Sequence, residues 1–138
     1  MSSSPSSSKL FDLAKEVRLR AYSPYSQVKV GAALLLKNGQ IFTGCNVENS
    51  SYGGTVCAER TAILKAVSET GPRIEITEIV VVTDASPAWP PCGLCRQVIA
   101  EFAAPHTLIH AINLQGDCRT TAFSDLLPQA FLPEHLGK

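Results

Sequence analysis

Neither sign of charge is in surplus in this sequence: 12 lysines and arginines stand against 12 aspartates and glutamates, and the basic residues are scattered. A protein that grips a polyanion carries a basic stripe or patch, so no nucleic-acid partner is expected and a small substrate is. Long apolar runs are also missing. None approaches the roughly 18 residues of a membrane-spanning helix, and no membrane partner is expected. Residues 1–8 are serine-rich and lack the apolar core, about 7 residues or more, of a secretory signal. They are read as a disordered tail, and the protein as cytoplasmic. The five cysteines cannot all pair, and an odd set with three in a metal-like array suits a reducing compartment better than a disulfide framework. There is no internal repeat and no room for a second folded domain. Residues 9–138 are expected to form one domain that buries roughly 70% of its unfolded surface.

What is present alternates between helical and strand patterns. Leu10, Leu13, Ala14, Val17 and Ala21 recur at helical spacing over residues 9–22, and Ser23-Pro24 ends that helix because proline has no amide hydrogen. Residues 28–36 read as a buried strand. Asn38-Gly39 predicts a two-residue hairpin turn into a second strand over 41–47. A polar loop, 48–55, leads to a helix over 57–69 with Thr55 as its cap. Ile79-Val80-Val81-Val82 marks residues 74–83 as a central strand buried on both faces. A proline-rich loop over 84–91 precedes a helix over 93–102 that stops near Pro105. Strands over 107–113 and 118–123 follow, then a helical turn capped by Ser124. The order α-β-β-α-β-α-β-β predicts a three-layer α/β fold, a mixed sheet of about five strands with helices on its faces.

Chemistry concentrates in Cys57-Ala58-Glu59-Arg60 and Pro91-Cys92-Gly93-Leu94-Cys95. Cys92 and Cys95, on the first turn of one helix, can face one metal, and Cys57 opens another helix. Two adjacent helix starts therefore suffice to gather three thiolates, and the partial positive charge of a helix N-terminus stabilises them. A catalytic zinc site uses three protein ligands and leaves a fourth position to water. Cys57, Cys92 and Cys95 are the candidate ligands of one zinc ion, and Glu59 is the candidate proton carrier. Glu59 lies about 200° round a helix from Cys57, so it serves only if the Cys57 turn bends toward the metal.

The Cys-x-x-Cys pair alone also fits a structural zinc or a redox-dithiol interaction module. A redox dithiol has no use for Cys57, however. A structural zinc needs a fourth ligand from Cys45, Cys118, His106, His110 or His135, and none sits at a usual ligand spacing. Cys45 and Cys118 are read as small buried residues on strands, and the histidines as ordinary strand or tail residues. Three thiolates make the cluster negative, and Arg60 donating to the Cys57 or Cys92 sulfur would offset that charge; the alternative is a surface arginine paired with an acid. Asn46 and Glu48, closing the second strand, offer an amide and a carboxylate that suit the hydroxyls of a ribose.

Taken together, these stretches resemble cytidine deaminase of the short homotetrameric kind with a three-cysteine zinc site, over nearly all of residues 10–131. The resemblance is carried by Tyr22-Ser23-Pro24-Tyr25-Ser26, Val30-Gly31-Ala32-Ala33-Leu34, Gly44-Cys45-Asn46-Val47-Glu48-Asn49, Cys57-Ala58-Glu59-Arg60-Thr61-Ala62, Pro91-Cys92-Gly93-Leu94-Cys95-Arg96-Gln97-Val98 and Leu126-Leu127-Pro128. It implies one zinc ion per subunit and hydrolytic deamination of cytidine and deoxycytidine, in pyrimidine salvage, or of a related amino-nucleoside. It also implies Glu59 as proton shuttle, Asn46 and Glu48 at the ribose, the Ala58 backbone at the pyrimidine and carbonyls near Pro91 at the amino group. Phe131 would reach the base from a neighbouring subunit. One position departs from the family: an aromatic residue commonly stands two positions before the Val-Gly-Ala-Ala strand, and this chain has Val28, which keeps apolar contact without stacking.

Overall fold

The computed structural model of the chain describes residues 5–138. Helix α1 (Pro5–Arg18) leads into strands β1 (Gly31–Leu36) and β2 (Ile41–Cys45), then α2 (Ala58–Thr70), β3 (Ile76–Thr83) and α3 (Gly93–Ala100). Strands β4 (Ala103–Asn113) and β5 (Cys118–Ala122) and a short α4 (Phe123–Leu126) complete the main elements. The strands form one sheet in the order β2-β1-β3-β4-β5. It is mixed: β3 and β4 run parallel, and the other neighbouring pairs are antiparallel. β3 is central, as its unbroken apolar run predicts, with Ile79, Val80, Val81 and Val82 all buried.

Side-chain alternation along the strands divides the core into two. Ala33, Val80, Val82 and Ile112 pack with Leu10 and Ala14 of α1. Leu34, Ile79, Val81 and Ile109 pack on the opposite face with Ile63 and Ala66 of α2 and Ile99 of α3. The expected three layers are thus present, and both helices that carry the cysteine motifs share one face. Among the described residues no helix is long and apolar enough to cross a membrane.

Boundaries differ from expectation where a turn or side chain replaces the regular backbone pattern. The first helix begins at Pro5, a start proline tolerates because its missing amide hydrogen would be unpaired there. Residues 5–8 of the expected disordered tail are therefore helical, with Ser7 buried; residues 1–4 lie outside the described residues. α1 ends at Arg18, short of Ser23-Pro24, and Tyr22 then bridges Val47. β1 begins at Gly31 instead of residue 28. The Asn46 side chain stands in for a strand there, accepting from the Val30 N–H and donating to the Val28 carbonyl at 2.8 Å each. The hairpin turn has three residues, not two: the Gly39 N–H donates to the Leu36 carbonyl and the Leu36 N–H to the Gln40 carbonyl, both at 2.9 Å. Asn38 keeps negative φ while Gly39 sits at +92°, the left-handed position that closes such a loop. Pro105 lies inside β4, exposed, where the register with β3 slips. A proline is tolerated at such an irregularity, and the Thr107 hydroxyl patches it by donating to the Ile76 carbonyl at 2.8 Å. α4 is capped by Ala122, not Ser124.

Gly44 of β2 sets how closely α2 lies on the sheet. A Cβ there would stand 2.5 Å from the Ala62 nitrogen and 2.7 Å from the Ala58 oxygen, both backbone atoms that cannot swing aside. Gly44→Ala is therefore expected to lift the start of α2, lowering the thermal midpoint by roughly 4 to 12 °C and reducing the protein's zinc content. An unchanged midpoint with full metal would show that the helix accommodates the methyl group.

Candidate active site

Val47 ties together the segments that build the site. It bridges Tyr22 on one side and Val56 on the other. Val47 and Val56 exchange both backbone hydrogen bonds at 2.9 Å, and the Glu48 N–H donates to the Tyr22 carbonyl at 2.8 Å. The polar 48–55 loop is thereby closed at its base, with Asn46, Glu48 and Cys57 around one opening. Cys57 itself is the cap of α2, the place expected for Thr55, with extended φ −72° and ψ 158°. That extended residue is the bend Glu59 needs. Cys57 no longer follows the helical rotation, and the two side chains line one cavity. Cys92 caps α3 in the same way, and its sulfur accepts from the Cys95 N–H at 3.5 Å.

The sulfurs of Cys57, Cys92 and Cys95 lie within 4.8 Å of one another, with Cys57 and Cys92 at 3.8 Å. Two sulfurs bound about 2.3 Å from a tetrahedral zinc stand about 3.8 Å apart, so this pair already has the required spacing. The Cys57 thiol is lowered to about 5, chiefly because the Cys95 thiol donates to it, with Arg60 and Cys92 adding to the effect. Cys95 is driven strongly upward by that same shared hydrogen bond, by burial and by the charge of Glu59. The largest cause of both shifts is this one shared hydrogen bond, which favours a negative Cys57 sulfur and opposes a negative Cys95 sulfur beside it. Arg60 supplies the only guanidinium in contact with Cys57 among the described residues, its Nη2 lying 3.5 Å from both the Cys57 sulfur and the Thr55 carbonyl. Glu59 is 4% exposed, and its carboxyl is pushed up to about 7, chiefly by burial.

The cavity measures about 320 Å³, within the range of small-ligand sites. Val28, Asn46, Glu48, Cys57, Ala58, Glu59 and Cys92 all line it, and Cys95 is fully buried. Phe131 does not line it: that ring is 57% exposed and stacks on His135 at 5.5 Å. A larger cleft of about 480 Å³, lined by Leu36, Lys37, Thr70, Arg73 and Glu75 among others, contains none of the cysteines.

Three features escaped the sequence reading. Ser26 lines the cavity and contacts Glu48. Thr83, at the end of β3, also lines it, and its buried hydroxyl meets no partner among the described residues. His110 is buried, bonded through Nε2 to Glu78 at 2.6 Å and through Nδ1 to Thr120 at 2.8 Å. Glu78 and His110 stand two residues before Val80 and Ile112 and share their α1 face of the sheet, away from the cysteines. Only the pairing of β3 with β4 brings them together. Cys45 and Cys118 are half-buried, less than expected.

The family model for the cytidine and deoxycytidylate deaminase zinc-binding region matches residues 4–111. The chain belongs to this family. A cytidine deaminase of Halalkalibacterium halodurans is 50% identical over 124 residues, covering 90% of this chain and 92% of that protein. One from Sporosarcina psychrophila is 49% identical over 129 residues, covering 94% and 93%. The solved structure of a cytidine deaminase from Burkholderia pseudomallei has a TM-score of 0.85 at 47% identity, over 90% of this chain and 98% of that one. The matched region contains all three cysteines. Its zinc fits what this structure offers, soft sulfur donors at tetrahedral spacing whose charge demands a cation.

Zinc added at pH 7 to metal-free protein in weak buffer should release at least one proton per ion, because the Cys95 thiol is still protonated there. Arg60→Gln should release more, since without the guanidinium the Cys57 pKa rises and less thiolate exists beforehand. Equal release from both proteins would remove Arg60 from the charge balance. Cys92→Ala should be purified without stoichiometric zinc, as metal analysis would show.

Proposed function

We propose that this chain is a zinc-dependent hydrolase that converts cytidine and deoxycytidine to uridine and deoxyuridine with release of ammonia. The carrying observation is Glu59, a buried carboxyl with a pKa of about 7, sharing a cavity of about 320 Å³ with two of the three clustered cysteines and with Asn46 and Glu48. Cys57, Cys92 and Cys95 would hold one zinc ion per subunit. When bound, that ion supplies a Lewis acid that brings the pKa of water to about 7.

Glu59 takes a proton from water as the new bond to C4 forms and delivers it to N3. The carboxylate then takes the proton of the new C4 hydroxyl and passes it to the amine; the C4–N bond breaks, ammonia leaves, and C4 becomes a carbonyl carbon. A group with a pKa near the working pH can perform both transfers. Arg60 draws negative charge from Cys57. Ala58 opens α2 and lines the cavity, and an N–H at the first helical position has no carbonyl partner within the helix, so the Ala58 N–H suits the pyrimidine. Pro90 lines the cavity and has no amide hydrogen, so what its backbone can offer the substrate's amino group is an acceptor; the Pro91 carbonyl already accepts from the Arg96 Nε at 2.8 Å.

Asn46 keeps one donor and one acceptor after holding residues 28 and 30, which suits a sugar hydroxyl. The residues lining the cavity include two carboxylates and neither lysine nor arginine. That balance favours a nucleoside over its phosphate ester. The protein acts as a homotetramer in the cytoplasm, in pyrimidine salvage, and the exposed Phe131 ring serves a neighbouring subunit's site.

Ultraviolet absorbance on cytidine, deoxycytidine, cytosine, adenosine and deoxycytidylate should show turnover of the first two and little of the others. Preference for deoxycytidylate would overturn the nucleoside reading, and inert zinc-loaded protein would overturn the enzyme reading. Glu59→Gln should keep zinc and lower kcat by about 10² to 10⁴; near-normal turnover would remove Glu59 from the chemistry. Val28→Phe should lower the KM for cytidine about fivefold by stacking. An unchanged KM with intact stability would show that Val28 does not face the base.

A further inference from the structure

Three hydrogen bonds hold the Glu48 carboxylate, and all come from one short loop. Oε1 accepts from the Tyr25 N–H at 3.0 Å and the Ser26 N–H at 3.1 Å, and Oε2 accepts from the Ser26 hydroxyl. Each carboxylate oxygen offers about two lone-pair sites. Oε1 is therefore full, and Oε2 has one site left.

The direction of the Ser26 hydroxyl is itself determined. Its oxygen accepts from the Val28 N–H at 3.1 Å, so its single proton goes to Glu48. Between them Gln27 holds the left-handed φ of +62°, a conformation sparsely populated by residues other than glycine. Its N–H donates to the Ser23 carbonyl at 2.9 Å. These bonds keep the loop in one shape, and Ser26, Val28 and Glu48 line the same cavity. The carboxyl is lowered below its ordinary range, first of all by the Ser26 hydroxyl, in keeping with a carboxylate kept ionised to accept.

We infer that Ser26 is a positioning residue for sugar recognition, its hydroxyl aiming the one Glu48 oxygen that remains open to a hydroxyl of the nucleoside. A long, partly exposed side chain otherwise explores several rotamers, and ordering it on binding lowers affinity. The Ser26 hydroxyl removes that freedom beforehand and ties the sugar anchor to the wall at Val28. The inference rests on the nucleoside reading of the cavity.

Steady-state kinetics of Ser26→Ala, Ser26→Thr, Glu48→Gln and the Ser26→Ala/Glu48→Gln double variant test it, with cytidine and 2′,3′-dideoxycytidine as substrates and thermal midpoints alongside. Ser26→Ala should raise the KM for cytidine about fivefold to tenfold, the upper part of the scale of one net hydrogen bond, with kcat within about twofold. Ser26→Thr, which keeps the hydroxyl, should recover most of that loss. With dideoxycytidine, or in the Glu48→Gln background, Ser26→Ala should change KM no further. An unchanged KM overturns the inference, as does an equal loss on both substrates or a full additional loss in the double variant. The last outcome would mean that Ser26 meets the sugar directly. If wild-type protein does not turn over cytidine, the nucleoside reading itself falls and the inference with it; an active wild type confines any failure to Ser26.

Discussion

Three sulfurs held within 4.8 Å of one another cannot all carry negative charge in a partly buried site without a cation among them, and the architecture around them answers that constraint. Two of the cysteines, Cys57 and Cys92, cap helices at the positive end of the helix dipole, and the Cys92 sulfur accepts from the Cys95 N–H. Arg60 lies against Cys57 at 3.5 Å. Even so, Cys57 is made acidic, to about 5, while Cys95 is driven the other way. The same low dielectric reaches Glu59. Its burial raises the carboxyl to about 7, and the charge of Cys57 adds to that. Metal affinity and the protonation of Glu59 are consequently set by one electrostatic environment, so a change at either will be felt at the other.

The fold delivers that environment by close backbone approach. α2 and α3 share a face of the sheet, and the connection after β3 leads directly to the α3 cap. What brings α2 to the right height is the absence of a side chain at Gly44. What brings Asn46 and Glu48 to the same opening is the Val47 bridge to two separate segments. Neither contributes chemistry. Each brings residues distant in the sequence into contact, Gly44 with Ala58 and Ala62, Val47 with Tyr22 and Val56, which is how a cysteine at 57 and a carboxylate at 48 come to line one cavity.

Periodicity and spacing carried much of this in advance. The apolar run of β3 identified the central strand because a strand buried on both faces has no polar alternative. The spacing of the cysteines identified the cluster because a helix start places i and i+3 on one side. Features that depend on pairing were not legible. Asn46 could be seen as an amide near a strand end, but its service as a substitute strand partner for residues 28 and 30 exists only once the chain has folded back. The buried Glu78–His110 pair likewise depends on the β3–β4 register. Serine-rich composition misled over residues 5–8. Serine disfavours helix interiors only mildly, and α1 has the sheet to pack on, so tertiary contact overrode local preference.

Asn46 and Glu48 look equivalent in the sequence, yet the structure gives them different standing. Asn46 is 7% exposed and already bonded to the backbone on both sides, so its removal would leave the Val30 N–H and the Val28 carbonyl without their partner. Part of any resulting loss of activity would then report a displaced wall at Val28 and not a missing sugar contact. Glu48 is partly exposed, and its carboxylate is held by a loop outside the sheet. Its neutralisation disturbs no strand pairing. Substituting the carboxylate therefore tests the proposed sugar contact with little interference from folding, and substituting the amide does not, because Asn46 also holds residues 28 and 30.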